Sequence, residues 1–288
     1  MPFRVNHKTK TFALLFVILV VVFIVDIFTG NAPISIRDGW NALFGTSGNA
    51  IVDEIVFNYR LPKAITAILA GAALSVAGLL MQTLFRNPLA GPDVLGVSAG
   101  AGLGVALLIT LGGSTLYSAV SWLGSMAQVA AAIAGAIPVL LLILGVSSRI
   151  NDSVTILVLG MIFGYVANAL ITILQSFADP DSLKVFVMWT FGSLSTVTWN
   201  KMPLLVVLVM TGIIAVFFLQ KPLNSLLLGE HYAASVGLNI KQTRRIIITI
   251  TALITGTVTA FTGPIAFVGV MAVTRIRLLL STRSLSIS

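Results

Sequence analysis

Long apolar runs dominate the chain, and short polar or glycine- and proline-rich stretches separate them. The runs at 14–25 and 129–145 do not alternate apolar and polar positions, as the strands of a membrane β-barrel would over about ten residues. A helix needs about 20 apolar residues to cross the hydrocarbon core of a bilayer, so the pattern predicts transmembrane helices. We expect seven spans and a weaker eighth, at 12–28, 64–85, 94–112, 121–145, 154–177, 203–219, 246–262 and 264–280.

The composition agrees with this pattern, because 57% of the residues are hydrophobic and only 9% are charged. A soluble domain carries about 25% charged residues, so this chain cannot cover itself with a water-facing surface. In lipid, helices satisfy every backbone hydrogen bond within one segment. We therefore predict an all-α fold, a polytopic transmembrane helix bundle that forms one domain over residues 1–288.

The basic residues predict the orientation of the bundle in the membrane. A cytoplasmic N-terminus places twelve of the 17 Lys and Arg residues in cytoplasmic loops, as the positive-inside rule requires. The formal net charge of +8 then follows from topology, and no nucleic-acid partner is needed to explain it.

Residues that carry chemistry are scarce. The chain has no cysteine and two histidines, His7 and His231, far apart in the sequence. None of the nine acidic residues lies in the middle of a predicted span, whereas ion-coupled carriers usually need such groups as relays. A membrane-embedded enzyme would need clustered titratable groups. Both alternatives fit poorly, no cofactor or resident metal is expected, and the energy for transport would come from another subunit.

A first polar stretch breaks the apolar pattern after residue 85, where two prolines in five residues end a helix. Its turn consists of Arg86, Asn87, Pro88, Pro92 and Gly96. Further glycines follow at 100, 102 and 104. Small residues four positions apart allow close helix packing, and glycines equally suit a helix that lines a pathway.

Two further stretches lie between later spans. Asp179-Pro180-Asp181-Ser182 supplies a turn and a helix N-cap, which predicts a short outer helix before the sixth span. On the cytoplasmic side, 226–238 predicts one short helix that is too polar to cross the membrane. That helix would either lie at the membrane interface or dock another subunit.

Together with Arg60-Leu61-Pro62-Lys63 and Gly71-Ala72-Ala73-Leu74, these stretches resemble the FecCD family. Its members are permease subunits of ATP-binding-cassette (ABC) importers for iron–siderophore complexes, haem and cobalamin. The family shows R-L-P-R, G-A-A-L, R-N-P-L-A-x-P-x-x-L-G-x-S-x-G-A, A-D-P-D-S-L, L-G-E-x-x-A-x-S-L-G and G-P-I-x-F-V-G. This sequence matches each motif in order over about 60–270, and the match at Arg86–Ala101 is the most specific.

The resemblance implies the partners and the location of the chain. It implies a homodimer or a heterodimer of paralogous permeases in the lipid of the cytoplasmic (inner) membrane. Two ATPase subunits and an extracytoplasmic binding protein would complete the importer. The sequence contains no P-loop of the form G-x-x-x-x-G-K-S/T, so ATP hydrolysis is expected on the ATPase subunits. The cargo would be an iron–siderophore complex, haem or cobalamin.

The resemblance also assigns candidate site residues. Arg60 and Lys63 would face outward and dock the binding protein. The segment 228–237 would couple to the ATPase through Leu228, Gly229, Glu230, Ala234, Ser235 and Gly237. The cytoplasmic gate and the pathway would involve Asn151, Asp152, Ser153, Gly160 and Gly164.

The resemblance changes after Gly269, where the family continues with x-x-P-H-I-x-R and two more helices. Residues 270–277 lack the P-H pair. The resemblance therefore predicts about eight of the family's ten helices, with a truncation or frameshift after about 270. Gly160 and Gly164 would then meet lipid or a wrong partner instead of a helix. The alternative functions are an inactive truncated permease and an ion-coupled secondary carrier.

Overall fold

The structure, a computed structural model, describes residues 7–30, 32, 34–119, 125–150 and 152–281. Every regular element in this part of the chain is helical, which confirms the predicted all-α fold. The α-helices are α1 (His7–Phe28), α2 (Ile36–Leu43), α3 (Ala50–Glu54), α4 (Leu61–Phe85), α5 (Val97–Ala119), α6 (Ser125–Arg149), α7 (Ser153–Ser176), α8 (Pro180–Thr190), α9 (Met202–Phe217), α10 (Gln220–Leu228), α11 (Glu230–Ser235), α12 (Ile240–Thr262) and α13 (Val268–Ser281). A π-helical segment, Ile55–Arg60, joins α3 to α4, and 3₁₀ turns occupy Pro92–Leu95 and Leu194–Thr196.

Most of the predicted spans coincide with long apolar helices. Five helical stretches in the described residues are long and apolar enough to cross a membrane, namely Thr9–Phe28, Ala50–Phe85, Met126–Arg149, Ser153–Ser176 and Ile240–Thr262. The sixth predicted span corresponds to α9 followed by α10, which are bent by 56° relative to each other.

Two predicted spans differ from the structure. The span predicted at 94–112 begins in the 3₁₀ turn Pro92–Leu95, and α5 starts only at Val97, because Gly96 takes a left-handed conformation with φ of 69°. The weak span predicted at 264–280 contains α13, which has 14 residues and is shorter than the about 20 residues that a crossing helix needs.

Two predicted short helices have different outcomes. The outer helix is confirmed as α8, whose N-cap Asp179 accepts hydrogen bonds from the backbone N–H groups of Asp181 and Ser182. The short helix predicted within 226–238, with glycine at both ends, is present as α11 between Gly229 and Gly237, but the predicted range is too long, because the residues before Gly229 belong to α10. Gly229 between α10 and α11 has φ of 127°, a value that interrupts any helix.

The chain forms two compact units, and the first comprises 1–68, 194–202 and 274–288. Its described core consists of Ile27, Ala42, Val56 and Ala64, which bring together α1, α2, the π-helical segment and the start of α4. Trp199 donates its indole N–H to the carbonyl oxygen of Phe57 over 2.9 Å. This unit therefore packs around the end of α1.

The second unit comprises 69–193 and 203–273. Helix α12 forms the centre of the unit, because 72% of its most apolar part is buried inside the protein. Helices α5 and α6 approach closely because Gly100 and Gly104 face Gly135, where any Cβ would overlap a backbone carbonyl. This contact confirms the close packing predicted from the glycine spacing. The prediction of one domain over 1–288 stays a prediction.

Candidate coupling and gate site

The predicted coupling segment is a surface in the second unit with one anchored residue. Ala233 is fully buried, whereas Leu228, Tyr232 and Val236 are exposed large apolar side chains. Ala234, Ser235 and Gly237 are also exposed, and Gly229 and Glu230 are partly buried. Exposed apolar side chains on a short polar segment fit either a contact with another subunit or the membrane interface.

Glu230 connects this coupling segment to the predicted gate. Its Oε1 atom accepts a hydrogen bond of 3.3 Å from the hydroxyl of Ser153, the first residue of α7. The same atom accepts a hydrogen bond of 3.0 Å from Nη2 of Arg244, which lies in the second turn of α12. The Nη1 atom of Arg244 donates to the carbonyl oxygen of Ile150 at 3.4 Å. Two groups of residues that the sequence predicts separately therefore share one hydrogen-bond network.

The predicted motif turn meets the same segment through Arg86. Its Nη2 atom donates to the carbonyl oxygen of Leu226 at 3.2 Å, in the last turn of α10. The same carbonyl oxygen also accepts a hydrogen bond of 3.1 Å from the backbone N–H of Gly229, and a cation at a helix C-terminus interacts favourably with the helix dipole. Arg86 has φ of 47°, and Asn87 and Pro88 are exposed in the turn that follows. Arg86 therefore joins the turn to α10.

The predicted gate residues Asp152 and Ser153 lie at the start of α7. Asp152 caps this helix, because its Oδ2 atom accepts hydrogen bonds from the hydroxyl of Thr155 at 2.6 Å and from its backbone N–H at 2.8 Å. These two bonds lower the pKa of Asp152 below its ordinary value. The carboxylate therefore stays ionised at neutral pH. The predicted gate residue Asn151 lies outside the described residues.

Gly160 and Gly164 pack against protein, so the predicted contact with lipid is wrong. A Cβ at Gly160 would overlap the carbonyl oxygen of Val94, and Gly164 lies beside the backbone of Gly96. Pro92 and Leu95 are buried in the same turn. The 3₁₀ turn therefore seats directly on α7, and the absence of side chains on that face allows the contact.

A cavity of about 610 Å³ opens beside this contact, between α5, α7 and α8. Gly96, Gly102 and Gly164 line it together with polar side chains of Ser98, Asn168 and Gln175. Among its described lining residues, Asp93 is the one charged group. Asp93 faces the cavity, yet desolvation by the surrounding protein raises the pKa of its carboxyl group. Gly100 and Gly104 of α5 thus pack on α6, whereas Gly102 of α5 and Gly96 of the preceding turn line the cavity.

The predicted docking residues have a different environment from the one expected. Arg60 is only 7% exposed, so the expectation of an outward-facing guanidinium is wrong. Its Nη1 and Nη2 atoms donate to the carbonyl oxygens of Ile27 at 3.1 Å and Ala32 at 2.7 Å. Lys63 is partly exposed and forms an ion pair of 2.8 Å with Asp26. Of the two predicted docking residues, Lys63 is therefore the accessible one.

Sequence reasoning missed Arg244 and Asp26 as partners of the candidate site residues. Arg244 is one of the twelve basic residues predicted to be cytoplasmic, and nothing in the residue type distinguishes it from the others. Its neighbour Arg245 has the same side chain but is exposed. A helical-face analysis of α12 would have placed Arg244 in line with the buried residues Ile247, Ile248 and Thr251. That signal identifies a buried arginine, although its partners still depend on the fold.

The sequence model of the FecCD transport family matches residues 18–287. The haemin transport system permease HmuU of Yersinia pestis is 30% identical over 92% of this chain and 77% of its own length. A proposed ABC transporter permease of Methanocaldococcus jannaschii is 36% identical over 83% of this chain and 68% of its own. The vitamin B12 import system permease BtuC of Salmonella paratyphi A is 34% identical over 75% and 64%.

A solved structure has a similar fold. A proposed metal-chelate type ABC transporter in an inward-facing conformation matches 94% of this chain and 82% of its own, with a TM-score of 0.79 and 26% identity. The chain therefore spans roughly two thirds to four fifths of the lengths of these relatives.

Proposed function

The chain belongs to the FecCD transport family of ABC permeases, and we propose that it translocates a metal chelate, namely an iron–siderophore complex, haem or cobalamin. The names of the relatives support this cargo class, because HmuU is a haemin permease and BtuC a vitamin B12 permease. Family permeases act as non-enzymatic subunits, and a separate subunit carries the ATPase.

The observation that carries the proposal is the cavity beside Gly96 and Gly164. Its volume of about 610 Å³ lies within the usual range for small-molecule sites, about 300–1,000 Å³. The lining mixes apolar surface with hydroxyl and amide groups, which suits a bulky chelate that must enter and leave. Tyr165 and Val166 are exposed on α7 beside the cavity, and we propose that a second permease covers this face.

We further propose that two ATPase subunits bind the coupling segments of the permease pair. The exposed Leu228, Tyr232 and Val236 supply the apolar contact, and the buried Ala233 holds the segment in place. In this arrangement the N-terminus is cytoplasmic, as the positive-inside rule predicts.

An extracytoplasmic binding protein would dock at Lys63. The Lys63 side chain is 38% exposed, so acidic groups of a partner can reach its ammonium group beside Asp26. Arg60 would support this position by holding the chain at Ile27 and Ala32. We expect Lys63→Glu to weaken binding-protein affinity and Lys184→Glu, at an exposed basic residue that is also predicted to lie outside, to leave it unchanged. Equal affinities for the two variants would remove Lys63 from the docking site.

The transport test uses the complete importer in proteoliposomes, with radiolabelled ferric siderophore, haem and cobalamin offered in turn. We expect ATP-dependent uptake of one of these cargoes. Gly102→Leu should remove most of that uptake, because its side chain would extend into the cavity while its Cβ makes only ordinary contacts, the nearest at 3.4 Å with Ile171.

Gly71→Leu is the matched control, because nothing lies within 4 Å of a Cβ at that glycine. Normal uptake by both variants would exclude the cavity as the pathway. Uptake driven by an ion gradient without ATP would instead support a secondary carrier and overturn the proposal.

A further inference from the structure

Arg244 holds a central position between the coupling segment and the gate. One of its terminal nitrogens contacts Glu230 of α11, and the other contacts the carbonyl oxygen of Ile150, directly before the gate residues. Glu230 and Ile150 lie 14 and 94 residues before Arg244 in the sequence, so neither contact follows from local sequence. A single planar guanidinium therefore bridges two functional segments.

The burial of Arg244 makes this bridge sensitive to its partners. The side chain is 2% exposed, and a guanidinium taken out of water needs an ion pair or hydrogen bonds to offset its lost hydration. Glu230 supplies the ion pair while remaining 41% exposed itself. The Nε atom of Arg244 is buried and finds no acceptor among the described residues. The guanidinium thus retains one N–H donor, at Nε, which an acceptor brought closer by a conformational change could satisfy.

The distances show which end of the bridge is looser. The ion pair to Glu230 measures 3.0 Å, a normal length for a charge-assisted hydrogen bond. The contacts on the gate side, Arg244 to Ile150 and Ser153 to Glu230, measure 3.4 and 3.3 Å, which is longer than ordinary hydrogen bonds, so they are weak. A shift of a few tenths of an ångström would break or tighten the gate contacts while the ion pair persists.

We propose that Arg244 is a positioning residue that transmits movement of the coupling segment to the gate. The inference rests on the proposed function. When an ATPase displaces α11, Glu230 moves the guanidinium, and the guanidinium changes its hold on the carbonyl group of Ile150. Arg244 itself touches neither cargo nor nucleotide.

The experiment compares Arg244→Gln with Arg245→Gln in the complete importer in proteoliposomes. Arg245 is the matched control, because it is the same residue one position later and its side chain is exposed. We expect Arg244→Gln to assemble and hydrolyse ATP but to lose about tenfold in cargo moved per ATP, as expected when charge-assisted hydrogen bonds are lost. Arg244→Lys should recover little, because an ammonium group cannot hold two partners in the planar geometry of a guanidinium.

A second readout follows the gate without cargo. The chain has no cysteine, so Arg149→Cys places one reporter thiol at an exposed position beside the gate. We expect ATP to change the labelling rate of this thiol and Arg244→Gln to abolish that change. If the proposed cargo class is wrong, uptake is absent from every variant, yet the labelling response still reports the bridge.

Glu230→Gln provides a second test in case the Arg244 variants do not fold. This variant should fold, because Glu230 is partly exposed and glutamine keeps an acceptor oxygen. It should assemble and show the same loss of the labelling response. If Glu230→Gln keeps a normal response and normal uptake per ATP, or if Arg244→Gln behaves like Arg245→Gln, Arg244 is not a transmitting residue.

Discussion

Two buried arginines, one in each compact unit, serve the chain in different ways. Arg60 donates to two neutral backbone carbonyl groups, those of Ile27 and Ala32. Arg244 contacts one backbone carbonyl group and the carboxylate of Glu230, which also binds Ser153. Both guanidinium groups are almost fully removed from solvent.

The difference between their partners explains why one arginine is suited to a fixed role and the other to a moving one. Arg60 donates to carbonyl groups at the end of α1 and in the loop after it, and therefore holds these backbone segments together within the first unit. We call such a residue a structural tie. The Glu230 carboxylate is partly hydrated and lies on a short helix between two glycines. Glu230 can therefore shift without itself becoming a buried, unpaired charge.

The largest expected effect is on stability and comes from Arg60→Ala. This variant leaves the carbonyl groups of Ile27 and Ala32 without their donor, at a cost of about 1–3 kcal/mol for each buried acceptor. We expect a clear fall in the unfolding temperature of the detergent-solubilised protein, with Arg37→Ala at an exposed arginine of the same unit as control. Equal unfolding temperatures for the two variants would show that Arg60 is not a structural tie.

Arg244→Met should reverse the balance between stability and function. The apolar side chain fills similar space and removes a buried charge, while the partly exposed Glu230 regains hydration, so the loss of stability should stay below about 2 kcal/mol. Uptake per ATP should fall strongly. A larger loss of thermal stability than for Arg60→Ala would contradict the contrast between the two arginines.

A smaller effect is expected from Asp152→Ala, which removes the N-cap of α7 beside the Arg244 network. Because the folded state lowers the pKa of Asp152, its contribution to stability is present above the ordinary carboxyl pKa of 3.8 and is lost as the pH falls through the lowered value. Thermal unfolding of the native protein and the variant across that acidic range tests this. Parallel curves for the two proteins would exclude the contribution.

The smallest effect is expected from Lys63→Gln, which breaks the ion pair with Asp26 in the same unit as Arg60. Both side chains are about one third exposed, and ion pairs of this kind contribute about 0–1 kcal/mol. The unfolding temperature should change little, and less at high salt because the pair is screened. A loss as large as that of Arg60→Ala would show that Lys63 is also a structural tie.

The helical class and the main spans were predictable from the sequence. Apolar runs such as those of α6 and α7 identify membrane helices because the hydrocarbon core imposes a minimum length on any crossing segment. The N-cap at Asp179 was predictable for a similar reason, since its hydrogen bonds reach only two and three residues along the chain. Local spacing suggested close packing at Gly100 and Gly104 but did not separate it from a pathway-lining role, and the contact with Gly135 decided between the two.

The sequence by itself thus determined a helical membrane protein, since apolar length and short-range hydrogen bonds are properties of neighbouring residues. The permease role came from the resemblance of its motifs to the FecCD family. Only the tertiary structure decided that Arg60 is buried, that Gly160 packs on the turn at Val94, and that Arg244 links Glu230 to Ile150. The hydrogen bonds among them join residues 14 to 94 positions apart. Whether an arginine faces water or a buried carbonyl group depends on which helices surround it, and the residue type alone does not indicate those helices.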